Sequence, residues 1–194
     1  MRAPSLLIAA LLLGAAGPPA DPDWPCVQRL VPTLTPGTLW GGHDPAGDWR
    51  QDPGVVAIVR ATSPRGVSAE AAAAKLSAYA STLPIPERSE KLAELFAGMV
   101  DETNAQRSVI IDRLRTITRR QRLLADTSSR VSAELAALPA DTPAAQRTEV
   151  AQRRVLINRE YEEVERTIRY ACEAPVAMEA KLGTLARSLQ SSLE

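Results

Sequence analysis

Two proline-poor stretches carry residues, apolar at all but Thr103, at every seventh position, and this repeat restricts the fold more than any other feature of the chain. In the first stretch the series is Phe96, Thr103, Ile110, Ile117, Leu124, Val131 and Leu138. In the second it is Val150, Ile157, Val164, Ala171, Met178 and Leu185. An α-helix turns once in about 3.6 residues, so a sustained repeat of seven stays on one seam only when helices supercoil around each other in a left-handed sense. Leu92, Met99, Leu114 and Leu135 broaden the first seam, and Tyr161, Ile168, Leu182 and Leu189 the second. From Glu87 to Leu138 there are 52 residues, no proline and one glycine, Gly98, so nothing breaks the first helix.

Pro139-Ala140-Asp141-Thr142-Pro143 reads as the turn between the arms, with Thr142 as helix cap and Pro143 as the first helical residue. The second helix then runs towards Leu193, and Pro175 is expected to kink it rather than end it. Doubling back at this turn pairs Val131 with Val150, Leu124 with Ile157, Ile117 with Val164, Ile110 with Ala171, Thr103 with Met178, Phe96 with Leu185 and Leu92 with Leu189 in one constant register. Each arm of about 50 residues would be about 75 Å long. The competing arrangement is two separate helices in a compact bundle.

The charges fit a hairpin. Arg113, Arg115, Arg119, Arg120 and Arg122 form a basic run, and the register sets it against residues 159–168, which include Glu160, Glu162, Glu163 and Glu165. Cross-arm pairing accounts for the run better than a nucleic-acid or membrane surface does. Lys and Arg total 23 and so do Asp and Glu, which gives no overall attraction to a polyanion.

The N-terminus reads as an address. Arg2 precedes the unbroken apolar run Leu6–Leu13, and small residues follow through Ala20, the tripartite form of a signal peptide. The run falls short of the roughly 20 residues a membrane span needs. Cleavage after Ala16 or Ala20 would leave an exported chain with 22 basic and 23 acidic residues and no transmembrane segment. The Ala- and Arg-rich composition suggests a bacterium, and for an exported chain hence the periplasm. Two cysteines in an oxidising compartment allow one intramolecular bridge, Cys26–Cys172, with free thiols or an intermolecular bridge as alternatives.

Residues 21–67 form a different region. Pro22, Pro25, Pro32, Pro36, Pro45 and Pro53, four glycines and all three tryptophans, Trp24, Trp40 and Trp49, lie between residues 21 and 53. Such a segment is irregular apart from a helical turn at Thr35-Pro36, and its indoles need a surface supplied from elsewhere. Asp52-Pro53 then opens a short helix with Val55, Val56, Ile58 and Val59 on its apolar side, for which β-branching makes a strand the rival. A second short helix starts near Ser68, runs to about Ser81 and stops at Pro84 and Pro86, so residues 68–86 are helix and linker and residues 87–194 are the hairpin. The fold class is all-α: a long antiparallel, coiled-coil-like hairpin with short N-terminal helices and a Pro/Trp-rich segment at its base.

Catalytic chemistry has little to work with. The sole histidine, His43, lies near Asp44, Asp48 and Asp52 in a Pro/Gly-rich turn whose spacing matches no metal loop. No GxSxG elbow and no GxxxxGK[ST] phosphate loop occurs. The sequence therefore assigns no catalytic residue, no metal and no cofactor. Leu123, Val155 and Leu156 fall off the main seam, and a bare two-helix arm with spare apolar residues favours a further helix, from a protein partner or a second copy.

Asp23-Trp24-Pro25-Cys26-Val27-Gln28, together with Leu95–Met99, Asn104–Arg107 and Arg169–Val176, resembles a group of small exported bacterial helical proteins of unknown function with a Trp-Pro-Cys start after the signal peptide. The resemblance implies that the two cysteine segments belong together, and it brings no activity. The expectation is a non-enzymatic periplasmic interaction or scaffold protein acting through its hairpin. The alternative is an accessory factor of a periplasmic redox or metal enzyme that holds its client through the Trp24, Trp40 and His43 region.

Overall fold

The structure is a computed structural model and describes residues 21–193; the expected signal peptide lies outside the described residues. It comprises helices α1 (Pro53–Thr62), α2 (Ala69–Thr82), α3 (Ile85–Ala137), α4 (Ala144–Ala171) and α5 (Glu173–Gln190), preceded by 3-10 turns at Pro36–Thr38 and Trp49–Gln51. No strand occurs among the described residues, so the β-branched run at Val55–Val59 is helical.

Local chemistry sets each boundary. Asp52 caps α1, its Oδ1 accepting from Gly54 N at 2.7 Å and Val55 N at 3.0 Å, and Pro53 takes the first helical position. Ser68 caps α2 by accepting from Ala71 N at 3.1 Å. Helix α3 begins at Ile85, two residues before the expected start, because Pro86 fits in its first turn. Thr142 does not cap α4. Pro143 holds the cap position and makes no side-chain bond there, while Arg147 Nη2 donates to Pro139 O at 2.8 Å and closes the turn. Cys172 separates α4 from α5 but keeps helical backbone angles, so the second arm is one bent helix, with Pro175 in the first turn after the bend.

The two halves of the hairpin are sheathed differently. At the base, α1 and α5 pack on α3, α2 packs on α1 and α5, and the main core gathers Val55, Val59, Leu76, Leu92, Leu95, Phe96, Met99, Leu182, Leu185 and Leu189. Trp40 and Trp49 complete it. Trp40 stacks on Phe96 with ring centroids 4.9 Å apart, and Trp49 donates from Nε1 to Asp101 Oδ2 at 2.9 Å. The distal half is α3 against α4 alone.

The cross-arm bonds correct the register. The expected alignment sets Ser128 opposite Arg153, Arg107 opposite Ala174 and Glu134 opposite Arg147. Instead Ser128 bonds Asn158, Arg107 Nη2 donates to Glu179 Oε1 at 2.6 Å, and Arg153 pairs with Glu134. Arg120–Glu160 alone falls within one residue of the expected pairing. The arms are thus displaced by about one helical turn. Apolar positions in a heptad alternate at three and four residues, so a slide of four exchanges one apolar set for the other and leaves the seam apolar.

Gly98 lies where α3 passes close against α1 and Trp49. A Cβ there would lie 2.7 Å from Val59 Cγ2 and 2.9 Å from Trp49 Cδ2, both buried groups with no room to move. Gly98→Ala should therefore destabilise the protein by about 1–3 kcal/mol in urea unfolding despite alanine's better helix propensity. Gly66→Ala, where nothing lies within 4 Å, should change stability by less than about 0.5 kcal/mol. Equal stability of the two variants would contradict the close α1–α3 packing.

Candidate functional site

The distal arm is where the fold leaves helix surface without cover. From Gln121 to Arg159 only Val131 and Val150 are buried. Its seam is partly polar: Ser128 and Asn158 bond across it, and Gln121 and Arg154 are half-buried. Leu123 is 66% exposed, Leu156 64% and Val155 44%. All three predicted contact residues on the arm therefore face solvent. Val155 and Leu156 lie together on α4 beside Ala151, Arg154 and Arg159.

The N-terminal segment marks where the arm leaves the base. Cys26 and Cys172 form a disulfide across 146 positions of sequence. Around it Trp24, Cys26, Ala171, Cys172 and Ala174 pack on Ile110, Leu114 and Met178. Gln28 Nε2 donates to Cys172 O at 2.6 Å, and Trp24 Nε1 donates to Gln28 O at 2.8 Å. Further along, Asn104 pairs with both backbone groups of Leu34, at 2.8 and 2.9 Å, and Arg107 Nη2 donates to Val31 O at 2.8 Å. The irregular segment is thus tied to α3 at Val31 and Leu34.

This arrangement corrects the expected role of the basic run. Arg115 Nε donates to Asp21 Oδ2 at 2.8 Å, Arg119 Nη1 to Asp23 Oδ2 at 2.7 Å and Arg122 Nη1 to Pro22 O at 2.8 Å, while Arg122 also pairs with Asp23. Only Arg120 reaches the second arm's glutamates, at Glu160. The acidic partner for most of the run comes from the N-terminal segment, which lies over α3 and reaches these guanidinium groups first. The signal available in the sequence was the pair Asp21 and Asp23, immediately upstream of a cysteine able to reach Cys172.

The other N-terminal candidates have structural places. Trp40 is buried, and its Nε1 donates to His43 O at 3.0 Å, so its indole is no docking group. Trp24 is half-buried beside the disulfide. His43 is exposed, with Nε2 2.9 Å from Ser89 Oγ and Nδ1 3.8 Å from Glu90 Oε2. Asp52 turns away from it to cap α1 and to meet Lys91 Nζ at 2.7 Å. The Lys91 ion pair, aided by the Val55 and Gly54 amides, holds the Asp52 carboxyl below the usual carboxylate range. Among the described residues no group of three or more His, Cys, Asp or Glu side chains could hold a metal ion, and no helix is long and apolar enough to cross a membrane.

The chain matches no family model, no curated protein and no solved structure.

The clasp at residues 21–23 has an acid-labile signature. The Asp23 backbone amide and then Arg115 lower the Asp21 carboxyl, and Arg122 and then Arg119 lower that of Asp23, both from an ordinary value of 3.8. A carboxyl depressed on folding favours the docked segment above its unfolded value, and that contribution is lost as pH falls through the folded value. A carboxyl-detected NMR titration should place both groups below 3.8, with the docked segment loosening only in more acidic solution. Midpoints at or above the ordinary value would show that the guanidinium groups do not hold it.

Proposed function

We propose that this protein is a non-enzymatic, exported interaction or scaffold protein, working in the periplasm through the distal half of its helical hairpin. The observation that carries this reading is the exposure of Leu123 and Leu156 on an arm whose length from Gln121 to Arg159 buries only two residues. Such an arm gains most from another helix laid along it, which removes those side chains from water at about 25 cal/mol per Å² of apolar area. That helix belongs to a second copy of the chain or to another protein. The disulfide is compatible with an extracytoplasmic protein, and the apolar run Leu6–Leu13 supports export. The Trp40 and His43 region supports client binding less well, since Trp40 serves the core.

The double variant Leu123→Ser, Leu156→Ser tests the reading. Both side chains are exposed, so thermal stability should change by less than about 0.5 kcal/mol each. Self-association in sedimentation, or the set of proteins recovered with the tagged chain from periplasmic extract, should be lost. An unchanged oligomeric state together with unchanged co-purifying proteins would overturn it. A His43→Ala variant should leave both readouts as they are.

A further inference from the structure

A second surface, on the base and away from the arm, has the features of a small-molecule site. A cleft of about 390 Å³ opens between α3, α5 and the turn joining α1 to α2. That volume lies in the roughly 300–1,000 Å³ range of ligand pockets. Its floor is Met99, Met178, Leu182 and Leu185, all buried, and the two thioethers can adapt to an apolar guest. Two cations line it, Arg65 and Lys181, and no carboxylate does. Among the described residues neither cation has an acidic side chain within ion-pair distance.

The wall that carries these groups is fixed in place. Lys181 Nζ donates to Pro64 O at 2.8 Å and Gln106 Nε2 to Ser63 O at 3.3 Å, so the turn is tied to α5 and to α3. An ammonium has three donors, and the carbonyl of Pro64 takes one of those on Lys181. Burial lowers the pKa of Lys181, as expected for a cation withdrawn from water without a counter-charge. Ser63, at the same edge, keeps its Oγ buried without a hydrogen-bond partner. A half-buried cation above an apolar floor is completed by an anion that brings its own hydrocarbon.

We propose that this cleft binds a small anionic amphiphile, a carboxylate with an unbranched apolar chain, with Lys181 and Arg65 at the carboxylate and the chain on the Met99, Met178, Leu182 and Leu185 floor. This binding is independent of the arm.

Isothermal titration calorimetry of the disulfide-bonded protein with octanoate tests it, with 1-octanol as the uncharged probe of the same chain. Octanoate should bind with one-to-one stoichiometry, and octanol at least about tenfold more weakly. Lys181→Met should weaken octanoate by a similar factor and Lys181→Arg should retain it. Ala177→Trp, at an exposed position on the cleft wall, should block the site without entering the core. The Leu123→Ser, Leu156→Ser variant should bind octanoate like the wild type, which separates this site from the arm. No binding at millimolar octanoate, octanol binding as tightly as octanoate, or an affinity unaffected by both Lys181→Met and Ala177→Trp would overturn the proposal.

Discussion

Two helices side by side can hide only one stripe of each, and the rest of this structure answers to that limit. A helix pair of this length buries its seam and exposes everything else unless further chain is laid over it. The additional described chain covers one end. Helices α1 and α2 and the Trp-rich segment gather over the base, where Leu92–Val100 of α3 is buried almost without interruption. Beyond Arg122 nothing is added. The base is well packed, and the arm, with Val131 and Val150 its buried residues from Gln121 to Arg159, is thinly packed.

Polar bonding joins the burial of Trp40 and Trp49 in holding the Pro-rich segment in place. Prolines and glycines deny it a ladder of its own, so its backbone groups find partners on side chains of α3. Asn104 serves Leu34, Arg107 serves Val31, and Arg122 serves Pro22. Arg107 is only 2% exposed and meets Glu179 on the far helix, so one guanidinium ties three parts of the chain together. The disulfide adds a covalent tie at the border between base and arm, and closing so long a loop disfavours the unfolded chain by about 4–5 kcal/mol on the entropic account. Ion pairs such as Arg119–Asp23 are exposed and individually weak, and they direct the segment more than they stabilise it.

The sequence disclosed those parts of the fold that rest on periodicity and on local stops. Seven-residue spacing marked both arms, Asp52-Pro53 and Ser68 marked the starts of α1 and α2, and the loop at Pro139–Pro143 marked the reversal. The register was legible only to within a turn, because Val131, Leu124 and Ile117 fit either apolar position of a heptad. The selecting pairs are polar, Ser128–Asn158 and Arg107–Glu179, and apolar periodicity carries no trace of them. The partners of the basic run were hidden for a related reason. Four glutamates on the second arm matched it in one dimension, whereas Asp21 and Asp23 match it only once the cysteine pair draws the N-terminal segment onto α3. Leu123, Val155 and Leu156 could be found because exposure on a helix follows from phase. The cleft beside Lys181 could not, because it is made by three segments whose meeting no local pattern encodes.

The fold rests on an intramolecular hairpin whose arms meet in one register. Paired cysteines introduced into the arm test this directly, since the native pair is already bonded. Ser128→Cys with Asn158→Cys should cross-link rapidly on mild oxidation and give a monomer with altered electrophoretic mobility, while Ser128→Cys with Arg153→Cys should stay reduced. Preferential closure of the second pair, or cross-links found only between two chains, would contradict the hairpin as described.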